Sequence, residues 1–198
     1  MRELCANGNI PLPDARLVYD PNFLSRPYAD ALLSTLLGEA PWRQDEITLF
    51  GKTFPQPRLT ALYGNNGKSY TYSGIQMRPM AFPSFMLDIK QRVEEASQHN
   101  FTTCLLNLYR DGNDSNGWHA DNEKELGKNP VIASVSLGTP RVFHIKHRRD
   151  KVQRYRLTLG HGSLLVMAGP MQHHWLHQVP KSRKPLGKRI NLTFRTIL

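Results

Sequence analysis

At 198 residues, 39% hydrophobic and 21% charged, the chain is sized for one compact domain around a single large core, and no apolar run approaches the length of a membrane span. Two cysteines, Cys5 and Cys104, exclude a disulfide framework and a cysteine-rich zinc module. The N-terminus, MRELCANGNIPLPDAR, lacks the apolar core of a signal peptide, so an intracellular protein is expected, cytoplasmic in a prokaryote or nuclear in a eukaryote. A formal net charge of +10 favours a polyanionic partner, with nucleic acid ahead of a merely basic surface.

Residues 1–20 are rich in turn formers and end in a short apolar segment, 15–19. A helix is predicted to follow, with Ser25 as its cap, Pro27 in its first turn, Leu32, Leu33, Leu36 and Leu37 as its apolar stripe and Gly38 as its stop. The run EITLFGKTFPQPR reads as a short strand, a glycine turn and an extended proline-rich segment. Leu49 and Phe50 precede Gly51 and Lys52 near a hairpin tip. An apolar side chain there serves either as a wedge between bases or as ordinary core. In LYGNNGKSYTYSG, Tyr70 and Tyr72 share one face of an extended backbone, suited to stacking on bases or to strand packing. Phe82, Phe85, Met86, Ile89 and Val93 predict a second helix over 82–100, a scaffold under a sheet.

From residue 101 onward short strands are predicted at 102–110, 131–137, 141–147, 153–159, 162–168, 173–179 and 189–197, separated by Gly, Pro and Asn/Asp clusters. That spacing indicates a sandwich or jelly roll. Two basic clusters fall among them, one from Lys146 to Arg156 and one from Lys181 to Lys188. On an already basic chain they raise the weight of phosphate contacts over solvated loops.

The chemistry centres on residues 107–123, NLYRDGNDSNGWHADNE. His119 and Asp121 stand two positions apart, so extended backbone projects both to one face. They are two parts of a 2-His-1-carboxylate site for non-haem Fe(II). A structural zinc site suits the same residues less well, because three ligands with open positions favour catalysis. Alternation along 102–110 puts Asn107 and Tyr109 on one face, where an amide and a phenol can hydrogen-bond a small ligand. Along the last strand, RINLTFRTIL, Arg189, Asn191, Thr193 and Arg195 oppose Ile190, Leu192 and Phe194. If that polar side faces inward, its arginines need anions, and a dicarboxylate matches them. The third metal ligand is sought in MQHHWLHQVP. His173 and His177 share parity, and alternation removes only His174; His144, His147 and His161 rank lower.

With these residues assembled, the chain resembles the AlkB family of Fe(II)- and 2-oxoglutarate-dependent dioxygenases. The likeness is densest in NLYRDG, WHADNE, PVIASVSLG, HGSLLVM, HWLHQVP and RINLTFR, and covers most of 45–198. The fold it implies is α+β, mainly β: a double-stranded β-helix (jelly roll) core over about 101–198, with scaffold helices and a nucleotide-recognition lid in about 1–100, all one domain. The resemblance selects His177 as the third ligand beside His119 and Asp121, because it sits in the W-x-H-x-x-P setting of Trp175 to Pro180. It implies Arg189 as partner of the distal carboxylate of 2-oxoglutarate, with Asn107, Tyr109, Asn191, Thr193 and Arg195 lining the same pocket and Arg195 toward the other end of the cosubstrate. For the flipped base it implies the segment Tyr70, Thr71, Tyr72 and Ser73, with His119 on the base's other face. It implies Phe50, Gly51 and Lys52 as a finger hairpin, Arg58 near the opposite strand, and Arg183 and Lys184 in a basic loop. Asn122 replaces an acidic residue of the family's H-x-D-D-E pattern and Glu123 is retained, which bears on how the base is read. The activity implied is oxidative demethylation of 1-methyladenine and 3-methylcytosine in duplex DNA by a monomer using Fe(II), 2-oxoglutarate and molecular oxygen, with release of formaldehyde, succinate and carbon dioxide. An RNA or single-strand demethylase of the same chemistry and a non-catalytic nucleic-acid binder are the alternatives.

Overall fold

The computed structural model describes residues 1–4, 7–49, 51–68, 70–72 and 75–198, with the side chains of 48, 49, 70–72, 75 and 76 left aside. In chain order the elements are β1 (Arg2–Glu3), β2 (Gly8–Ile10), β3 (Arg16–Asp20), α1 (Arg26–Glu39), β4 (Glu46–Leu49), β5 (Lys52–Pro55), β6 (Leu59–Gly64), β7 (Tyr70–Tyr72), β8 (Ile75–Met77) and α2 (Ser84–Ser97). There follow β9 (Thr103–Tyr109), β10 (Asn116–His119), β11 (Ile132–Gly138), β12 (Arg141–His147), β13 (Arg154–Leu159), β14 (Ser163–Ala168), α3 (Met171–His174), β15 (Trp175–Val179) and β16 (Arg189–Arg195).

Two sheets form the jelly roll. One has seven strands in the order β2-β3-β14-β11-β16-β9-β6, and the other has five in the order β1-β13-β12-β15-β10. Each strand is too short to bury an apolar face alone, so the two inner faces close on each other. Leu17, Leu105, Tyr109, Leu165 and Met167 from the larger sheet meet Phe143, Ile145, Leu157, Leu159, Trp175 and Val179 from the smaller. The larger sheet's outer face carries Cys104, Leu106, Leu108, Val135, Leu192 and Phe194, and it is covered by α1 through Ala29, Leu32 and Leu36 and by α2 through Met86, Ile89 and Val93. Among the described residues no helix covers the smaller sheet over His144, Lys146 and Arg156. Hairpins β4–β5 and β7–β8 form separate two-stranded sheets.

The first helix runs through Gly38 and ends at Ala40, whose backbone is extended (φ −73°, ψ 136°). Pro41 explains the stop, since the residue before proline is pushed out of the α region. Ser25 stands at the N-cap without a side-chain hydrogen bond. The second helix is shorter than 82–100, because Pro83 occupies its cap and Gln98 leaves it in the left-handed region at φ 54°. The short apolar segment near 15–19 becomes strand β3 from Arg16 onward, which pairs antiparallel with β14 from Leu164↔Asp20 to Ala168↔Arg16. With β6 paired to β9, the larger sheet draws on chain well before residue 101. The strand expected at 173–179 begins only at Trp175, because 171–174 form the helical turn α3.

Candidate active site

Two adjacent antiparallel strands inside the larger sheet, β9 and β16, place Asn107 opposite Asn191 and Tyr109 opposite Arg189. Both strands are buried throughout, and the polar residues singled out by alternation face inward, between the sheets. They line one pocket together with Asn116, His119, Asp121, Ser134 and His177.

His119 and His177 are register partners on β10 and β15, with ring centroids 4.3 Å apart. Asp121 lies in the loop leaving β10, with Oδ1 3.8 Å from His119 Nε2. One ligand atom from each of the three lies within 4.8 Å of the others. The His119 Nδ1–H donates to Gly117 O at 2.7 Å, because a carbonyl can only accept. That fixes the tautomer and leaves Nε2 with its lone pair. The Asn116 amide nitrogen sits 3.2 Å from that Nε2. Arg195 Nη2 donates to Asp121 Oδ2 at 2.8 Å, whereas Asp121 Oδ1 and His177 Nδ1 are buried with no hydrogen-bond partner among the described residues. A carboxylate oxygen and an imidazole nitrogen left so are the donor set a divalent metal ion satisfies. His173 is exposed on α3, which leaves His177 as the third member.

Burial would raise the Asp121 pKa, but the Arg195, His119 and His177 charges and the Arg195 hydrogen bond together bring it down to about 2. Burial lowers His177 from 6.5 to about 3, with the neighbouring His119 charge adding to the effect. Burial also lowers His119. The set is therefore one carboxylate and two neutral imidazoles near pH 7, the forms that bind metal. For a histidine held neutral, the unfolded chain takes up a proton below about 6.5 while the folded protein does not. Metal-free stability is thus fully present above that pH and falls as pH drops toward 3, by about 1.4 kcal/mol per pH unit for His177. Urea unfolding of metal-free protein between pH 7 and 4 should show this slope, and His177→Gln should make it shallower. An unchanged slope in the variant contradicts the assignment.

Arg189 is 1% exposed. Its Nη2 donates to Ser136 Oγ at 2.9 Å, while Nε and Nη1 make no close hydrogen bond among the described residues, and a weaker interaction with the Tyr109 side chain offsets the buried charge only in part. The guanidinium lies 5.1 Å from the Tyr109 ring centroid. A buried cation with two open donors is costly unless an anion meets it, and the planar fork matches a carboxylate. The residues therefore fit 2-oxoglutarate as well as iron. Asn191 is tied to Ser134 Oγ at 2.7 Å and accepts from the Thr193 hydroxyl at 2.8 Å. Arg195, expected toward the other end of the cosubstrate, is committed to Asp121 and so bears first on the metal ligand.

The substrate-side expectations fare unevenly. Arg58, expected near the opposite DNA strand, is 4% exposed. Its Nε donates to Asn107 Oδ1 at 2.8 Å and its Nη1 to Ser115 O at 3.3 Å. Buried behind Asn107, it supports the cavity wall and presents no exposed face. Gly51 (φ 75°) and Lys52 are exposed at the tip of the β4–β5 hairpin. Arg183, Lys184 and Asn122 are exposed, and Glu123 is half-buried. Phe50 and Ser73 lie outside the described residues, as do the side chains of Tyr70, Thr71 and Tyr72, whose backbone forms β7.

Two buried polar residues that support the site were not singled out in the sequence. Gln172, fully buried on α3, accepts the Asp121 backbone N–H through Oε1 at 3.0 Å, and nothing in its four-residue helix signals that. Arg141, 2% exposed, donates to the carbonyls of Asp111, Asp114 and Pro180. Its parity with Phe143 and Ile145, an arginine in phase with the buried apolar residues of β12, is the signal that could have found it.

The 2OG-Fe(II) oxygenase superfamily profile matches residues 16–195. The chain is 40% identical to "Alpha-ketoglutarate-dependent dioxygenase alkB homolog 3" of Mus musculus over 94% of its own length and 68% of the relative's. It is 40% identical to "DNA oxidative demethylase ALKBH2" of Homo sapiens over 77% of its length and 61% of the relative's. It therefore spans about two thirds of these relatives. Among solved structures OsALKBH1 superposes with a TM-score of 0.66 at 20% identity, over 94% of this chain and 100% of that one, which is a likeness of fold.

Proposed function

Because the chain belongs to the AlkB family within the 2OG-Fe(II) oxygenase superfamily, we propose that it repairs nucleic acid by oxidative removal of N-methyl groups, with 1-methyladenine and 3-methylcytosine in duplex DNA as substrates. The observation that carries this reading is one cavity holding both the His119–Asp121–His177 cluster and the open donors of Arg189. Iron(II), 2-oxoglutarate and oxygen supply the oxidation: the N-methyl carbon is hydroxylated and lost as formaldehyde, and 2-oxoglutarate becomes succinate and carbon dioxide.

The protein's own part is binding and orientation. His119, Asp121 and His177 would hold the metal, with Arg195 fixing the Asp121 carboxylate and Gln172 its backbone N–H. Arg189 takes the distal carboxylate of the cosubstrate, backed by Ser136 and the Tyr109 ring. The cavity lies between two sheets, so a base must leave its stack to reach it. A methylated pair is already weakened, which lowers the cost of that step.

Duplex DNA is favoured by the exposed β4–β5 hairpin, with Gly51 and Lys52 at its tip, and by exposed Arg183 and Lys184. Formaldehyde release should be compared on methylated duplex DNA, single-stranded DNA and RNA, with 2-oxoglutarate omitted as control. Duplex should lead, and Phe50→Ala should narrow its lead. Equal rates on all three, or equal Phe50→Ala losses on duplex and single strand, contradict the duplex reading. Replacing Arg183 and Lys184 by alanine should reduce the salt slope of duplex binding by about 0.9 for each phosphate that is no longer neutralised.

A further inference from the structure

The outer face of the five-stranded sheet is unlike a solvated surface. Its inward residues, Phe143, Ile145, Leu157, Trp175 and Val179, belong to the core. On the outward side Val142 is 38% exposed, Arg154 and Arg156 are exposed, and Trp118, His144, Lys146 and Leu176 are half-buried. An antiparallel sheet with one wet face is ordinary, but its wet face is expected to read polar. Here an indole lies among cations. The Lys146 Nζ sits 4.1 Å from the Trp118 ring centroid, and the His144 ring is stacked 6.3 Å away at 27°. Trp118 is on β10, whereas His144 and Lys146 are on β12, with β15 between them in the sheet. The indole therefore reaches across the outer surface of β15.

The surrounding charge is one-sided. Lys146, Arg154 and Arg156 on the face and Arg148, Arg149 and Lys151 at the β12–β13 turn stand against Glu3 and Asp150. Glu3 pairs with Arg156, and the Asp150 carboxylate accepts the Val152 N–H. The position is also specific. Trp118 precedes His119 on the edge strand β10, so successive side chains of one strand point to the metal cluster and to this face. A polynucleotide whose target base enters beside His119 passes over that edge.

Resting on the nucleic-acid reading above but not on its duplex preference, we infer that this sheet face is a track for the unpaired strand flanking the target nucleotide: Trp118 stacks on a neighbouring base, and Lys146 and Arg154 meet phosphates. Every base offers a π-face and every nucleotide a charge, so the track is indifferent to sequence.

The test uses the full chain without iron or 2-oxoglutarate and an unmodified short oligothymidylate, so it does not depend on demethylation. Tryptophan fluorescence should be quenched saturably. Trp175 is fully buried and the Trp42 indole donates to Leu36 O, so the quench should vanish in Trp118→Phe while that variant keeps most of its affinity. Trp118→Ala should weaken binding about 5- to 150-fold, the equivalent of one lost base stack. Lys146→Gln with Arg154→Gln, which touches no core residue, should lower the salt slope by about 1.4. Undiminished quenching in Trp118→Phe, or an unchanged salt slope in the double variant, overturns the inference. A protein that binds in this way but demethylates nothing refutes the proposed function and leaves the track standing.

Discussion

Asp121→Ala should eliminate iron-dependent conversion of 2-oxoglutarate to succinate, a loss well beyond the about 10- to 100-fold that accompanies changes behind a metal ligand. Two features make the residue so costly to lose. Its Oδ1 is buried with no hydrogen-bond partner among the described residues, and its pKa of about 2 keeps it a carboxylate at any working pH. Its Oδ2 also accepts from Arg195, and breaking a buried ion pair from one side costs about 3–5 kcal/mol. Asp121→Ala should therefore lose stability as well as turnover. His177→Ala separates the two effects: it removes a ligand, leaves the Asp121–Arg195 pair intact, and should lose turnover to the same degree. Metal titration followed by the fluorescence of the folded variants, alongside succinate formation, checks both. Substantial turnover in either variant would mean that the metal sits elsewhere.

The second large effect belongs to Arg189. Arg189→Met should raise the KM for 2-oxoglutarate about 30- to 1000-fold, corresponding to the about 2–4 kcal/mol lost when one partner of a buried charged pair is removed. Arg189→Lys keeps the charge but not the planar fork and should fall between. Stability should move the other way. In the cosubstrate-free protein Arg189 is a buried cation with two open donors, so an apolar replacement should be neutral or stabilising by about 1–4 kcal/mol. Added 2-oxoglutarate should raise the Tm of the wild-type protein and leave that of Arg189→Met unmoved. A variant destabilised without cosubstrate and still stabilised by it would show that Arg189 is only structural.

Much of this site could be read from residue order alone, for a physical reason. Strand alternation is strict, so Arg189, Asn191, Thr193 and Arg195 had to share a face once β16 was a strand; that this face turns inward is decided by the smaller sheet packing over it, while the helices cover Ile190, Leu192 and Phe194 on the other side. The same rule paired Asn107 with Tyr109. It failed at 171–174, where a helical turn replaces the strand and parity between His173 and His177 loses its meaning. It also gave no warning of β10, whose Asn-Gly-Trp-His has no apolar alternation and is a strand only because β15 pairs with it. Arg58 departs from what the resemblance implies: it was expected near the opposite strand, yet three-dimensional packing gives it Asn107 and Ser115 as partners. Gln172 is invisible in sequence because its function is a single hydrogen bond to the backbone of a residue 51 positions away.

The central claim is that one cavity joins the metal triad, the cosubstrate arginine and an N-methylated base. Formaldehyde release from a methylated oligonucleotide, measured with and without iron(II) and with and without 2-oxoglutarate, tests it directly. Formaldehyde and succinate should appear in equal amounts, only when all components are present, and neither should form in His177→Ala. Succinate formed at the same rate with or without the methylated strand, and with no formaldehyde, would contradict the claim.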